Sequence, residues 1–287
     1  MMPTAILRTT LPLWITAPLV FGAFVGLWRW ERRSPLRRTV ESRSRRTERN
    51  LAMAALAAAS LQVTEHPVIQ RLSLAVEERQ WGLLNVRCLP SWVELPLAVL
   101  LLDYTLYVWH VLLHRVTWLW RSHVVHHIDR DLDVSTAVRF HIAELLCSLP
   151  WRAGQVLLIG VSPLALSVWQ TFVLLCVMFH HSNVRLSERT EQWLSRFIVT
   201  PRMHGIHHSI VQEETDSNWS SGLTIWDRLH RTLRLSIPQD AITIGVPAYQ
   251  APEDVRLAEL LRLPFLRQRP SGRFPSGVKP TREICDR

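Results

Sequence analysis

"LLDYTLYVWHVLLHRVTWLWRSHVVHH", residues 101–127, carries an apolar stretch directly into a cluster of imidazoles. Its first part lies within "LPLAVLLLDYTLYVWHVLL" (95–113), which has the length and polarity of a membrane-crossing helix yet holds Asp103 and His110. Ionisable groups inside a span are costly, so they mark function by default. The second part sets His123, His126 and His127 at i, i+3, i+4. On a helix that spacing forms one stripe, with Cβ atoms about 5–6 Å apart.

Upstream, "TTLPLWITAPLVFGAFVGLW" (9–28) is uncharged and about as long as a spanning helix needs to be. It is long for a signal peptide and has no small-residue cleavage site before the arginines, so a retained span is expected. Arg29, Arg32, Arg33, Arg37, Arg38, Arg43, Arg45, Arg46 and Arg49 follow at once. The chain is 48% hydrophobic with a net charge of +9, which fits a membrane protein with cationic cytoplasmic loops. The arginines crowd beside an apolar run and form no recognition module, so no nucleic-acid partner is expected.

Residues 51–64, "LAMAALAAASLQVT", read as a second span or an interfacial helix, and 70–92 as a headgroup-level segment. "AGQVLLIGVSPLALSVWQTFVLLCVMF" (153–179) is broken at Gly160 to Pro163. It reads either as one tilted helix or as a short re-entrant piece before a span at 164–179. Segment 183–235 is polar, and 236–287 is a Pro-punctuated tail with little apolar periodicity. Cys88, Cys147, Cys176 and Cys285 form no C-x-x-C pair, so neither a disulfide framework nor a cysteine zinc site is expected. The fold class is therefore all-α and integral to the membrane, with about 3–4 transmembrane helices and a cytosolic helical cap carrying the histidines.

Twelve of the thirteen histidines lie between positions 110 and 230. "HVLLH" pairs His110 with His114, "FHHSN" holds His180 and His181, and "HGIHH" repeats the trio with His204, His207 and His208. One ion takes three or four protein ligands, and at least eight candidates occur here, so two metals are indicated. Imidazole suits Fe, Zn, Cu and Ni alike. Singly, His66, His141 and His230 read as packed histidines, with His141 the strongest candidate of the three for a role at the site. Metal-bound imidazoles commonly donate to a carboxylate or carbonyl, which makes Asp103, His141, Glu144 and Asp227 candidates for supporting the ligands.

Other chemistries lack their motifs. There is no H-E-x-x-H, G-x-S-x-G, G-x-G-x-x-G or P-loop, and no E-x-x-H pairs for a carboxylate-bridged centre. An all-histidine dimetal site at a membrane surface remains. Two redox metals given two external electrons can activate O2 and abstract hydrogen from an unactivated C–H bond, yielding an alcohol or an alkene.

These residues resemble the fatty acid hydroxylase / sterol desaturase superfamily of integral-membrane non-haem di-iron enzymes, in its bacterial branch. The resemblance rests on residues 95–233: H-x-x-x-H, two H-x-x-H-H boxes, "FHHSNVRL" and "LTIWDRLHRT". It implies two iron ions, O2 as co-substrate, and hydroxylation or desaturation of a lipid such as a fatty acyl chain or sterol. Carried over by motif, the metal ligands are His110, His114, His123, His126, His127, His181, His204, His207 and His208, with His180 a tenth candidate. It also implies a separate ferredoxin- or cytochrome-type electron donor with its reductase, and a bacterial inner-membrane location with the site facing the cytoplasm. The chain then divides into N-terminal span(s) and arginine loop (1–92), di-iron catalytic domain (93–235) and tail (236–287). Family members often have Phe-Gly where this chain has His230-Arg231, Pro where it has Ile142, and Asn-Tyr-Gly where it has "NWS". The competing reading is a membrane zinc-binding or transport protein, but transporters place ligands at the midplane on broken helices.

Overall fold

In the computed structural model residues 10–86 and 89–282 are described; Cys88 and Cys285 lie outside them, and Cys147 and Cys176 are free thiols. Among the described residues the secondary structure is helical, with isolated bridges and no strand. The helices are α1 (Leu13–Arg33), α2 (Arg43–Val63), α3 (Glu65–Arg79), α4 (Ser91–Arg115), α5 (Thr117–His127) and α6 (Ile142–Ile159). There follow α7 (Pro163–His181), α8 (Glu188–Leu194), α9 (Pro201–His207), α10 (Gln212–Thr215), α11 (Ile225–Leu229) and α12 (Leu257–Arg262). Helices α1, α4, α6 and α7 are long and apolar enough to cross a membrane.

Chain direction follows from the ends of these helices. α4 and α7 both end in histidines, α6 begins just after His141, and Glu31 near the end of α1 accepts from the backbone N–H groups of Val134 and Asn183. All four therefore have one terminus at the same, histidine-bearing end. α4 packs on α5, α6 and α7, while α1 lies along α7 and α3 along α6.

The run 153–179 is neither one tilted helix nor a short re-entrant piece. It is the end of α6 and most of α7, joined by a tight turn. Gly160 closes α6 with φ +84°, a left-handed conformation that glycine adopts without steric cost. The Ser162 hydroxyl then caps α7 by accepting from Ala165 N–H, with Pro163 in the first turn.

Residues 51–63 are the second part of α2, which is not among the helices long and apolar enough to cross a membrane and whose buried stripe is Arg46, Asn50, Met53 and Ala57. A buried arginine needs partners, and the loop after α5 supplies them. Arg46 Nε donates to Asp129 at 3.0 Å, its Nη2 to Thr136 at 2.9 Å, and its Nη1 lies 2.7 Å from Asp133. Asn50 bridges Asp129 and Ser135, and Arg139 donates to Asn50 at 2.9 Å and to the Val125 carbonyl at 2.9 Å. Burial alone would push the Asp129 carboxyl up, but Arg46, Arg139 and Arg49 outweigh it and hold it below the usual carboxylate range. Part of the arginine-rich loop is thus interior structure, not only surface charge.

The tail also departs from its plain sequence. Val246, Tyr249, Val255, Leu260 and Leu263 form a buried cluster with Met53 and with Val124, Val125 and Ile128 at the back of α5. Asp129→Asn leaves two fully buried arginines facing a neutral amide. We expect a loss of about 3–5 kcal/mol, the cost of breaking a buried ion pair, read as a fall in the midpoint of thermal unfolding in detergent.

Candidate metal centre

Helices α4, α5, α7 and α9 bring their histidines to one place, because i, i+3 and i+4 spacing points each set inward. Two groups of four form. His110, His114, His127 and His207 offer one nitrogen each, as do His126, His181, His204 and His208, and within each group these atoms lie within 4.8 Å of one another. All are buried except His114, which is half-buried. The groups adjoin: His127 and His208 stack at 4.1 Å between centroids, 13° from parallel.

Backbone carbonyls orient the rings. His110 Nδ1 lies 2.7 Å from the Trp219 carbonyl, His207 Nδ1 2.9 Å from that of Ser217, His181 Nδ1 2.8 Å from that of Val177, and His126 Nδ1 3.3 Å from that of Arg139. A carbonyl only accepts, so each of these Nδ1 atoms carries the hydrogen and each Nε2 presents a bare lone pair. Yet His126 Nε2 and His181 Nε2 are 3.0 Å apart, His204 Nε2 is 2.9 Å from His181 Nε2, and His208 Nε2 is 3.0 Å from His204 Nε2. In the first group the Nε2 atoms of His114, His127 and His207 are buried without a hydrogen-bond partner. Burial first, and then the neighbouring imidazoles, hold His126, His127, His204, His207 and His208 well below the usual imidazole range. Neutral, buried, converging nitrogens fit a metal cation in each group. Right-angled bonds of about 2.1 Å, the usual metal–imidazole length, would separate adjacent nitrogens by about 3.0 Å.

The other expected site residues fall differently. His123 lies outside both groups, its Nδ1 3.1 Å from Glu144 Oε1 and its Nε2 buried without a partner. Its ring is 4.9 Å from both His114 and His127. His180 is also outside, 4.0 Å ring to ring from His204, with Nδ1 unpartnered. Glu144 thus faces an imidazole directly, whereas the hydrogen bonds of Asp103, Asp227 and His141 go to other groups. Asp103 accepts from Leu223 N–H at 3.0 Å and Trp226 Nε1–H at 2.8 Å. Asp227 accepts from the N–H groups of Trp219 and Ser220 and from the Thr232 hydroxyl. Both carboxylates bind the 219–232 loop, which reaches His110, His114 and His207 through the Trp219 carbonyl and ring and His180 through the Ser221 backbone. His141 caps α6 by accepting from Ala143 N–H, and its Nε2 faces the Leu261 carbonyl.

Sequence reasoning gave no role to Trp219. Its buried ring meets those of His110, His114 and His207 edge-on at 5.7, 4.6 and 5.1 Å. Its only sequence signal was the departure "NWS". Arg37 was likewise invisible within its arginine run; it donates to the Pro201 carbonyl at 3.2 Å and braces the start of α9. A cleft lined by His114, Trp120, His127, Gln212 and Thr215 opens onto the first group.

Two of the residues that depart from the resembled pattern have clear local settings. His230 stacks on Tyr107 at 4.9 Å and 17°, so a flat ring remains where Phe is common. Arg231 has φ +59°, the left-handed region that Gly occupies freely. Arg231→Gly is therefore expected to stabilise the fold by about 1 kcal/mol, measured by unfolding in detergent. Replacing both His110 and His114 by Ala should abolish metal at the first group while leaving that at the second, a loss of about half the bound metal by elemental analysis.

Residues 95–232 match the sequence model of the family described as Fatty acid hydroxylase. Over 158 residues the chain is 31% identical to ornithine lipid hydroxylase OlsE of Rhizobium tropici, covering 55% of this chain and 46% of that protein. It is 29% identical over 135 residues to alkylglycerol monooxygenase of Homo sapiens, covering 47% of this chain and 29% of that one. It is 28% identical over 150 residues to cholesterol 25-hydroxylase of Homo sapiens, covering 49% and 52% respectively. The chain thus spans about half the length, or less, of these curated relatives. No solved structure matches it. Every histidine of the two four-membered groups falls inside the matched block, and residues 95–232 belong to the fatty acid hydroxylase family.

Proposed function

We propose that this protein is a membrane-embedded, O2-dependent di-iron oxygenase that hydroxylates an unactivated C–H bond of a lipid. The observation that carries the reading is the pair of four-nitrogen groups set side by side at the end of apolar helices. Hydroxylation is favoured over desaturation because the relatives described above are named as hydroxylases or monooxygenases. Two iron ions, held by the paired groups, would supply O2 activation and hydrogen abstraction. The balance is one C–H bond, one O2, two electrons and two protons consumed, with one alcohol and one water formed.

The protein's own part is positional. Carbonyls of Trp219, Ser217, Val177 and Arg139 hold Nδ1–H and aim Nε2 of His110, His207, His181 and His126. The Glu144 carboxylate faces His123 Nδ1 in the same way, which supports His123 as a further donor beside the first group; His180 stands in the corresponding place beside the second. Trp219 closes one side of the first group against water. The cleft at His114 and Thr215 gives O2 and water a route that avoids the lipid side.

Ornithine lipid, alkylglycerol and cholesterol, the compounds in the relatives' names, define the substrates to test first. The arginine-rich segment contacts the histidine end, with Leu36 N–H bonded to the Asn183 carbonyl, and by the positive-inside rule this supports a site on the cytoplasmic face of the bacterial inner membrane. Electrons would come from a separate ferredoxin- or cytochrome-type donor and its reductase. The test is Mössbauer spectroscopy of iron-57-grown protein in detergent, with His126→Ala as control, followed by the lipid screen. Coupled iron that is oxidised by O2 and diminished in the control is expected. Zinc that persists under iron-replete growth, without O2 uptake, would overturn the proposal in favour of a zinc-binding protein.

A further inference from the structure

Helices α8 and α11 form a surface that the chemistry does not use. Phe197 O accepts from Thr224 N–H at 3.0 Å, Val199 N–H donates to the Gly222 carbonyl at 3.1 Å, and Arg228 Nη2 donates to the Ser195 carbonyl at 3.1 Å. The two short helices therefore make one continuous patch. Trp193, Phe197, Ile225 and Leu229 are each at least half exposed on it. Arg196, Arg228 and Arg231 are exposed among them.

The depth of this patch along the spans is the informative feature. Leu223 and Trp226 hang from Asp103, which stands halfway along α4. A side chain on Gly222 would meet Phe172, halfway along α7, at 2.9 Å. Asp103 precedes His110 by seven residues, about 10 Å of helix rise below the histidine end. Residues 222–226 thus lie beside the middle of two spans, deeper than the histidines. Irregular backbone at that depth survives only if its polar groups are satisfied by protein. Asp103 and Asp227 do this, taking the N–H groups of Leu223, Trp219 and Ser220.

We propose that the α8–α11 patch is embedded in one leaflet of the bilayer, its four large apolar side chains among lipid chains and its arginines reaching up to anionic lipid phosphates. Arginine stems lie along apolar surface while their heads stay at the polar boundary, which suits residues scattered through such a patch. An aqueous acidic protein would match the charge, but it would leave the four apolar side chains beside mid-span in water. The inference draws on the four spans and not on the oxidation chemistry.

The test uses the full chain in a cysteine-free background, in nanodiscs of phosphatidylcholine with phosphatidylglycerol. Single nitroxides are placed at Phe197→Cys and Leu229→Cys, with Val278→Cys on the exposed tail as reference. Collision with O2 and with a water-soluble nickel complex is read by power saturation, and circular dichroism checks the fold of each variant. Labels at 197 and 229 should be several-fold richer in O2 contact and poorer in nickel contact than the label at 278. Equal nickel contact at all three would overturn the proposal. So would labels that are water-exposed in the disc and become shielded only when an acidic ferredoxin is added, which would assign the patch to a protein partner. Neither readout depends on activity.

Discussion

Two nitrogen lone pairs face each other at 3.0 Å where His126 meets His181, and the carbonyls behind both rings forbid either to turn away. Lone pairs so placed repel, and a cation bound between them would relieve that repulsion. The rest of the molecule can be understood as the apparatus that keeps such rings converged. Helix periodicity supplies the first approximation, and buried carbonyl contacts supply the final orientation.

That apparatus has two unlike parts. Behind His126 lies a charged interior in which Arg46, Asn50, Asp129 and Arg139 satisfy one another without solvent. Charges buried this way bring little net stability, because desolvation offsets most of their attraction. What they provide is a fixed place for the Arg139 carbonyl and, through the Arg139 contact with Val125, for α5. Behind His110 lies a loop anchored by two carboxylates, whose reward is the Trp219 carbonyl and ring. One support is ionic and reaches in from the N-terminal segment; the other is a set of hydrogen bonds from neutral donors to carboxylates within the matched block.

The histidine groups and the long apolar helices were legible in the sequence because both are periodic or uninterrupted patterns. Interactions between distant segments were not. Asp103 does share a helical face with His110, as its spacing says, but a loop 120 residues later captures its carboxylate. Arg46 is one of nine arginines in a short stretch, and nothing local distinguishes the one that is buried. Tail residues such as Tyr249 and Leu263 reach the core from short 3₁₀ turns, which have too few residues to show a period.

Arg37 joins segments far apart in the chain: it reaches the Pro201 carbonyl and Gln239, and its backbone pairs with Asn183. During synthesis the N-terminal arginine segment therefore has to wait, its guanidinium hydrated, until residue 239 has left the ribosome. The Arg37 brace on the third histidine box is complete only from that moment. Loading of the iron centre proposed above would accordingly be a late event in biogenesis, after the last span has been inserted, and a nascent chain halted before the tail would display histidines without yet having a centre.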